Sequence, residues 1–264
     1  MPVHLPTDTD HAYLALGQGR YQPTIHSQGA WSDEEQHMAP VSGLLVHAIE
    51  QHEPRADLQL ARVTFDILGM IPARESHVRT ATLRTGRTIE LVEAILRVGD
   101  RDVVQARAWR LSRQDTAAVA AVEAEPMPDP QDCAAWEGMQ TWPGGYISRV
   151  DFRAVAQSRP GRGRAWLRSD VGLVEGEDSS DLARFIGLVD TANGVGARQD
   201  PTDWMYPNTD LSIHLWRAPR MPWVGLDARA SWGPTGLGVT STVLHDHDGP
   251  VGCATQALTV RQLR

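Results

Sequence analysis

The sequence predicts an α+β fold in which one structural unit, a long helix followed by an antiparallel β-sheet, occurs twice. In each half of the 264-residue chain, an apolar segment with helical periodicity precedes several segments in which apolar and polar residues alternate. A proline-rich segment lies between the two halves. With 41% hydrophobic and 22% charged residues, the composition is that of a globular protein with a substantial core.

The first half is predicted to contain one helix and a meander of strands. Residues 1–30 form a polar lead-in with one strand near Tyr21–His26. The segment HMAPVSGLLVHAIEQ (37–51) is predicted to be a helix that ends before Pro54. Between residues 57 and 111, Val, Thr, Ile and Leu alternate with polar residues and are interrupted by Gly-Arg and Gly-Asp pairs. This pattern predicts antiparallel strands joined by short turns.

The middle of the chain has a different composition. Residues 112–145 contain Pro126, Pro128, Pro130 and Pro143, which favour an extended linker over a packed element. We therefore expect an N-terminal half over 1–111, a linker over 112–145 and a C-terminal half over 146–264.

The second half repeats the order of elements. Alternating segments precede the helix that contains FIGLVDTANGV (185–195), and further alternating segments follow it to the end of the chain. Leu182, Phe185, Ile186 and Val189 form the buried stripe of this helix, and Asp190 lies at its border. Because burying an unpaired carboxylate is costly, Asp190 must be solvated, hydrogen-bonded or functional.

The two halves can be aligned on their last strands. Matching RDVVQARAWRL with DGPVGCATQAL pairs Val104 with Val251 and Trp109 with Gln256, and the same spacing places Gly43 opposite Asp190. The alignment indicates a duplication in which only the second half has the polar residues.

Composition excludes several classes of function. The net charge of −8, with no basic stripe, argues against a nucleic-acid partner. No apolar run reaches about 18 residues and the N-terminus has no signal-peptide pattern, so we expect a cytoplasmic protein without a membrane partner. All 25 basic residues are arginine, which excludes a phosphate-binding loop with its lysine and Schiff-base chemistry.

Other site motifs are weak. Cys133 and Cys253 are far apart and form no CxxC motif. The stretch HDHDG (245–249) precedes a predicted hairpin turn, where consecutive side chains alternate in direction, so we expect no metal site there. The chain contains no GxSxG motif. The tryptophans are typical core residues, with Trp31 and Trp204 as candidates to line an acyl tunnel.

Several segments resemble one known family. These segments are FDILGMIP and GRTIELVEA in the first half, and FIGLVDTANG, PNTDLSIHLWR and GPVGCATQAL in the second. The chain is similar over nearly its whole length to the acyl-CoA thioesterases of the type II family, which have a double hot-dog fold. The resemblance implies hydrolysis of acyl-CoA to a free carboxylic acid and coenzyme A, with no cofactor and no metal.

The resemblance also implies three site residues. The family's helix aspartate corresponds to Asp190, and the glutamine of its last strand corresponds to Gln256. The family has a threonine two residues before a strand aspartate; that aspartate is Asp210 here, and the matching position is Asn208. Strand alternation places Thr209 on the opposite face, which favours Asn208 as the third site residue.

These residue types suit thioester hydrolysis. A carboxylate that accepts a proton from water makes the water a competent nucleophile. Amides both donate and accept hydrogen bonds, so they orient that water. The negative charge that develops on the carbonyl oxygen needs a donor, for which a backbone N–H near a helix start is the expected group.

Two alternatives remain open at this stage. Enoyl-thioester hydratases resemble one another in pairing the helix aspartate with a histidine five residues later, where this chain has Val195. A non-catalytic acyl-CoA-binding protein is also compatible with the altered triad. In either case, long strands with free edges favour a homo-oligomer.

Overall fold

The computed structural model describes residues 4–155 and 158–263, so the outer predicted boundaries at residues 1 and 264 lie outside it. The α-helices are α1 (Met38–Gln51), α2 (Asp181–Val189) and α3 (Ala192–Val195). The strands are β1 (His11–Gly17), β2 (Arg20–Pro23), β3 (Leu58–Ile67), β4 (Ser76–Arg84), β5 (Ile89–Val98), β6 (Arg101–Ser112), β7 (Ala134–Ala135), β8 (Asp151–Ala154), β9 (Arg162–Arg168), β10 (Gly172–Glu175), β11 (Trp204–Met205), β12 (Asp210–Leu215), β13 (Val224–Trp232), β14 (Leu237–Asp246), β15 (Gly249–Thr259) and β16 (Arg261–Gln262).

Strands of both halves form one sheet. Its order is β10-β1-β2-β4-β5-β6-β3-β12-β15-β14-β13-β9-β8-β7, and β11 pairs separately with β16. The halves meet where β3 pairs antiparallel with β12, with Phe65 opposite Leu211. Apart from the parallel pair β1 and β10, neighbouring strands within the described residues run antiparallel. The predicted α+β, double hot-dog architecture is confirmed.

Alternation along the strands accounts for the core. In β5 every second residue from Glu90 to Val98 is buried and the intervening ones are partly exposed. The buried face packs against α1, in which Leu44, Leu45 and Ile49 are fully buried. In the second half, Phe185 and Ile186 of α2 take the same place, facing β13. The first helix and the meander were predicted correctly, whereas β1 was not predicted.

The predicted helix around Asp190 is not continuous. α2 ends at Val189, and α3 begins only at Ala192. At the break, the backbone carbonyl of Asp190 accepts a hydrogen bond from the side chain of Gln256 (3.2 Å), which lies on another element. The prediction of one helix through Val195 is therefore wrong, because a tertiary contact captures a carbonyl at the helix end.

The predicted alignment of the halves is wrong by one residue in the last hairpin. The β-bulges of the two hairpins follow Leu96 in the first half and Leu244 in the second. Aligning these bulges places Ala108, and not Trp109, opposite Gln256. Ala108 and Gln256 are both buried, whereas Trp109 is partly exposed on the other face. A slip of one residue exchanges the two faces of a strand, which explains the error.

Gly43 has a packing role. A Cβ atom there would lie 3.0 Å from the Ala183 carbonyl oxygen and 3.1 Å from Gly187 Cα, so α1 and α2 cross in close contact. Beside the crossing, the Ser42 hydroxyl donates to the Ile186 carbonyl (3.0 Å). Gly43 thus contacts Gly187 at the crossing, and its predicted match with Asp190 stays a prediction.

The N-terminal part of the segment between the halves is exposed to solvent. Residues 113–123 are all exposed, whereas Ala134 and Ala135 of β7 extend the sheet beside β8. The boundaries 1–111, 112–145 and 146–264 stay a prediction.

The close helix crossing predicts different effects for two matched substitutions. Gly43→Ala places a methyl group against the α2 backbone, whereas a methyl group on Gly187 meets atoms only at 3.6 Å or more. Both changes bring the same gain in helix propensity, so their difference isolates the packing cost. We expect Gly43→Ala to be less stable than Gly187→Ala by about 1–3 kcal/mol in urea denaturation. Equal stability of the two variants would contradict the close crossing.

Candidate active site

Asp190 lies at the break between α2 and α3, facing the start of α1. The residue is only 3% exposed. It lies there because the apolar stripe of α2 is buried against the sheet and Asp190 directly follows the last residue of that stripe. A buried carboxylate needs hydrogen-bond donors, and two amide side chains supply them.

Asn208 provides the first amide. It lies just before β12, where its Nδ2 atom donates to Asp190 Oδ1 at 2.7 Å and to the Asp210 carbonyl at 3.0 Å. Thr209 is exposed, and its hydroxyl lies 3.5 Å from the Ala257 carbonyl oxygen on β15. The structure therefore brings Asn208, and not Thr209, to the carboxylate.

Gln256 provides the second amide, from the buried face of β15. Its Nε2 atom donates to Asp190 Oδ1 at 3.0 Å as well as to the Asp190 backbone carbonyl. The three residues implied by the family resemblance thus form one hydrogen-bonded group. Both amides bind Oδ1, and Oδ2 has no hydrogen bond to any residue in 4–155 or 158–263.

Burial changes the acidity of the carboxyl group. Removal from water raises the pKa of Asp190 from 3.8 to about 6, against the opposing effect of the hydrogen bonds from Asn208 and Gln256. At neutral pH the group is therefore largely ionised but more basic than an exposed aspartate. This combination suits a general base.

His37 is a site residue that the sequence analysis did not identify. It caps the start of α1, where its Nδ1 atom accepts a hydrogen bond from the Ala39 N–H (3.0 Å). The same atom lies 3.8 Å from Asp190 Oδ2. Burial lowers the pKa of His37 to about 3, so the imidazole is neutral beside the carboxylate. A histidine directly before a helix whose first two turns are mainly apolar is the sequence signal that could have identified it.

The ring of Tyr146 packs against the face of the His37 imidazole. The two rings lie with centroids 4.3 Å apart and planes inclined by 34°. The Tyr146 hydroxyl shares a hydrogen bond of 2.8 Å with the hydroxyl of Thr191, the residue after Asp190. The ring of His37 and the carboxylate of Asp190 are therefore fixed by connected contacts.

A cavity of about 320 Å³ opens beside this group. Asp190, Asn208 and His37 contribute polar atoms to its wall, whereas Gln256 lies behind Asp190 and does not line it. Much of the rest of the wall is apolar: Trp31, Met38, Met70, Ile71, Met139 and Trp142. Of the two tryptophans proposed to line an acyl tunnel, Trp31 lies in this wall, and Trp204 instead packs against Trp232. The wall also contains polar residues away from Asp190, among them Glu35 and Arg261. A cavity that combines apolar and polar lining in this way is typical of small-molecule sites.

The HDHDG stretch has structural contacts. The fully buried carboxylate of Asp246 accepts two hydrogen bonds from the Arg217 guanidinium (2.6 and 2.5 Å) and one from the Arg220 backbone N–H (2.9 Å). Its oxygens are therefore committed to Arg217 and the neighbouring backbone. Across residues 4–155 and 158–263, no three His, Cys, Asp or Glu side chains are grouped as metal ligands.

Models of one protein family match both halves of the chain. The model of the acyl-CoA thioesterase N-terminal domain matches residues 27–111, and that of the C-terminal domain matches residues 130–260. The chain belongs to the acyl-CoA thioesterase family. It is accordingly a thioester hydrolase. No curated protein sequence matches the chain significantly.

Solved structures show the same fold at low sequence identity. A hot-dog fold protein from Alicyclobacillus acidocaldarius is 14% identical, with a TM-score of 0.75 and coverage of 97% of each chain. The acyl-CoA thioesterase II TesB2 of Mycobacterium marinum is 13% identical, with a TM-score of 0.66 and coverage of 95% of this chain and 96% of its own. The tesB protein of Mycobacterium avium subspecies paratuberculosis is 16% identical, with the same TM-score and coverage of 94% and 95%.

Among the helices in the described parts of the chain, none combines the length and the apolar character needed to cross a lipid bilayer.

The raised pKa of Asp190 predicts a stability difference that depends on pH. Between pH values of about 4 and 6 the folded protein holds this proton more tightly than the unfolded chain, so the contribution of Asp190 to stability falls as the pH rises. Asp190→Asn removes the ionisation and keeps the size of the side chain. Relative to wild type, we expect this variant to gain about 2 kcal/mol between pH 4 and pH 8, measured by urea denaturation at both pH values. A difference that does not change with pH would contradict the raised pKa.

Proposed function

We propose that this thioesterase hydrolyses acyl-CoA to the free carboxylic acid and coenzyme A, with Asp190 as the general base for an attacking water. The observation that carries this proposal is the asymmetric environment of the Asp190 carboxylate. Oδ1 is bound by Asn208 and Gln256, and Oδ2 is left without a protein donor where Asp190 lines the cavity. Oδ2 is therefore the atom available to accept a hydrogen bond from a water molecule.

The reaction follows from this geometry. The water oxygen attacks the thioester carbonyl carbon while one of its protons moves to Oδ2. The tetrahedral intermediate then expels the coenzyme A thiolate, which takes up the proton from Oδ2 and restores the carboxylate. A base with a pKa near 6 is ionised at pH 7 and retains useful basicity. No metal or nucleotide is required for these steps.

The two amides act on the carboxylate in this mechanism. Each donates to Oδ1, which fixes the orientation of Oδ2 and stabilises the charged form in a buried setting. Gln256 does not line the cavity, so it is a positioning residue. Asn208 does line it, and its amide N–H takes the place of the hydroxyl donor that the family's threonine would supply.

The apolar wall of the cavity supports an apolar acyl group as the substrate moiety. Trp31 and Trp142 pack edge to face with centroids 4.8 Å apart, and methionine side chains complete the wall. Methionine adapts its shape easily, so the wall accommodates acyl groups of more than one shape.

Hydration of an enoyl thioester is the second candidate. The expected histidine after Asp190 is absent from the helix, but His37 of the first half lies 3.8 Å from Asp190 Oδ2. A spectrophotometric assay of enoyl-CoA hydration, run beside an assay of free thiol release on a panel of acyl-CoAs, distinguishes the two reactions. Binding without either product would indicate the non-catalytic alternative.

We also propose that the protein is a homo-oligomer. The sheet is open at β10 and at β7, and oligomers of identical chains commonly form where such edges or the outer face of a sheet are covered by another copy. Light scattering tests this directly, since a mass of 29.0 kDa at micromolar concentration would mean a monomer.

Replacing the proposed base predicts a large loss of turnover. Asp190→Asn should lower kcat by about two to four orders of magnitude, because an amide cannot accept the proton. In the wild-type enzyme, kcat/KM should rise as the pH increases through about 6 and then stay level, since only ionised Asp190 is active. Thiol release in a pH series measures both effects.

Asp210→Asn is the matched control for this test. The Asp210 carboxylate accepts a hydrogen bond from the Ala257 N–H (2.6 Å), which an asparagine oxygen also accepts. This variant should keep its activity. If Asp210→Asn abolished turnover and folded Asp190→Asn did not, the assignment of the base would be wrong.

Loss of one positioning amide predicts a smaller effect. Gln256→Ala leaves the base in place but removes one of the two donors to Oδ1, so kcat should fall by about 10- to 100-fold with little change in KM. Asn208→Thr restores the family's residue and should retain most of the activity. Steady-state kinetics on one acyl-CoA substrate check both variants, and a loss with Gln256→Ala as large as that with Asp190→Asn would contradict the secondary role of the amide.

A further inference from the structure

The mechanism proposed above leaves one developing charge without a partner, the negative charge on the thioester carbonyl oxygen. The sequence favours a backbone N–H near a helix start as its donor, and the start of α1 lies at the cavity. There, however, the Ala39 N–H donates to His37 and the His37 N–H donates to the Ser27 carbonyl (2.8 Å), and Pro40 has no N–H. Most backbone donors of this helix start are therefore already occupied or missing.

The side chain of His37 offers a donor instead. Its Nδ1 atom accepts a hydrogen bond from a backbone N–H and so carries no proton. The proton of the neutral imidazole is therefore on Nε2. With the imidazole ring oriented as in the structure, the Ala39 N–H alone determines this tautomer.

Nε2 is also available. It makes no hydrogen bond to the described residues 4–155 and 158–263, and 14% of the side chain remains accessible where His37 lines the cavity. The ring is fixed by the Ala39 N–H on one edge and by Tyr146 against its face. A donor that is held in a fixed orientation in the wall of a cavity has the properties expected of a preorganised oxyanion site.

We propose that the Nε2–H group of His37 donates a hydrogen bond to the thioester carbonyl oxygen and stabilises the oxyanion. The inference rests on the proposed hydrolysis by Asp190. As the water oxygen bonds to the carbonyl carbon, its proton moves to Asp190 Oδ2 and the π electrons move to the carbonyl oxygen. That oxygen accepts the hydrogen bond without proton transfer, and the C=O bond reforms when the thiolate leaves. Base and donor thus act from neighbouring positions in one wall, 3.8 Å apart at Oδ2 and Nδ1.

Two reciprocal variants separate this role from helix capping. In His37→Asn the side-chain oxygen takes the place of Nδ1 and keeps the cap, but no atom takes the place of Nε2. In His37→Gln the amide nitrogen reaches the place of Nε2, but the cap at Ala39 is lost. We expect kcat to fall about 100- to 1,000-fold in His37→Asn, with a much smaller change in KM and no loss of melting temperature. His37→Gln should melt at a lower temperature and keep the higher kcat of the two.

The opposite order of the two kcat values would overturn the proposal, since it would mean that only the cap matters. An unchanged kcat in His37→Asn would also overturn it and leave a backbone group, such as the N–H of Met38, as the donor. A shift of the pH profile in His37→Asn with an unchanged plateau would assign His37 to tuning of Asp190, which again overturns the proposal.

A binding measurement tests the role of His37 independently of turnover. S-acetonyl-coenzyme A labelled with ¹³C at its ketone carbonyl cannot be hydrolysed, and its carbonyl resonance moves downfield when it accepts a strong hydrogen bond. We expect a downfield shift on binding to the wild-type protein, retained in His37→Gln and lost in His37→Asn. The same shift in all three proteins would overturn the role of His37. Absence of thiol release by the wild type, with this pattern of shifts intact, would overturn only the proposed hydrolysis.

Discussion

The close crossing of α1 and α2 is the constraint on which the rest of the site depends. The helices run in opposite directions and meet at Gly43 and Gly187, where neither residue has a side chain to separate them. Further contacts lie at both ends of this helix pair. The Ser180 hydroxyl donates a hydrogen bond to Glu50 at one end, and His37 lies beside Asp190 at the other. Because the crossing is tight and antiparallel, the start of one helix is held against the end of the other. The imidazole and the carboxylate face each other for this reason.

This arrangement explains why the two halves differ in sequence while sharing an architecture. The second half supplies the carboxylate and both amides, and the first half supplies the imidazole and part of the apolar wall. At the place of Gln256, the first half has Ala108, which fills the core without a polar group. The site is therefore a composite of both halves, and neither half contains it alone. The buried carboxylate costs stability, and the amide donors offset part of that cost.

Sequence patterns determine much of the fold and part of the site. Alternation in β5 and the apolar stripe of α2 identified the strands and helices, and family resemblance identified Asp190, Asn208 and Gln256 as a group, which the structure brings into contact. The break after Asp190 was not predictable, because it depends on a hydrogen bond from a strand 66 positions further along the chain. The role of His37 was not predictable for a similar reason. Its local sequence marks only a helix start, and its role arises from a contact with the other half of the chain.

The error in aligning the two halves has a simple physical origin. A strand pattern specifies its buried face strongly, but two short diverged strands can be matched with a shift of one residue, and that shift places Trp109 where Ala108 belongs. A glycine in a sequence is also ambiguous. The sequence alone does not tell whether a functional side chain has been lost at that position or whether close packing requires a residue without one. At Gly43 the structure shows instead that the missing side chain allows the two helices to pack.

The central claim is that Asp190 activates water and does not attack the thioester itself. A single turnover with enzyme in excess over acyl-CoA in ¹⁸O-labelled water tests this most directly, with mass spectrometry of the acid product and of the peptide that contains Asp190. Activation of water by Asp190 predicts one ¹⁸O atom in the acid from the first turnover and none in the protein. An unlabelled first product together with ¹⁸O in the Asp190 carboxylate would show that Asp190 forms a covalent anhydride, and would rule out its role as the base.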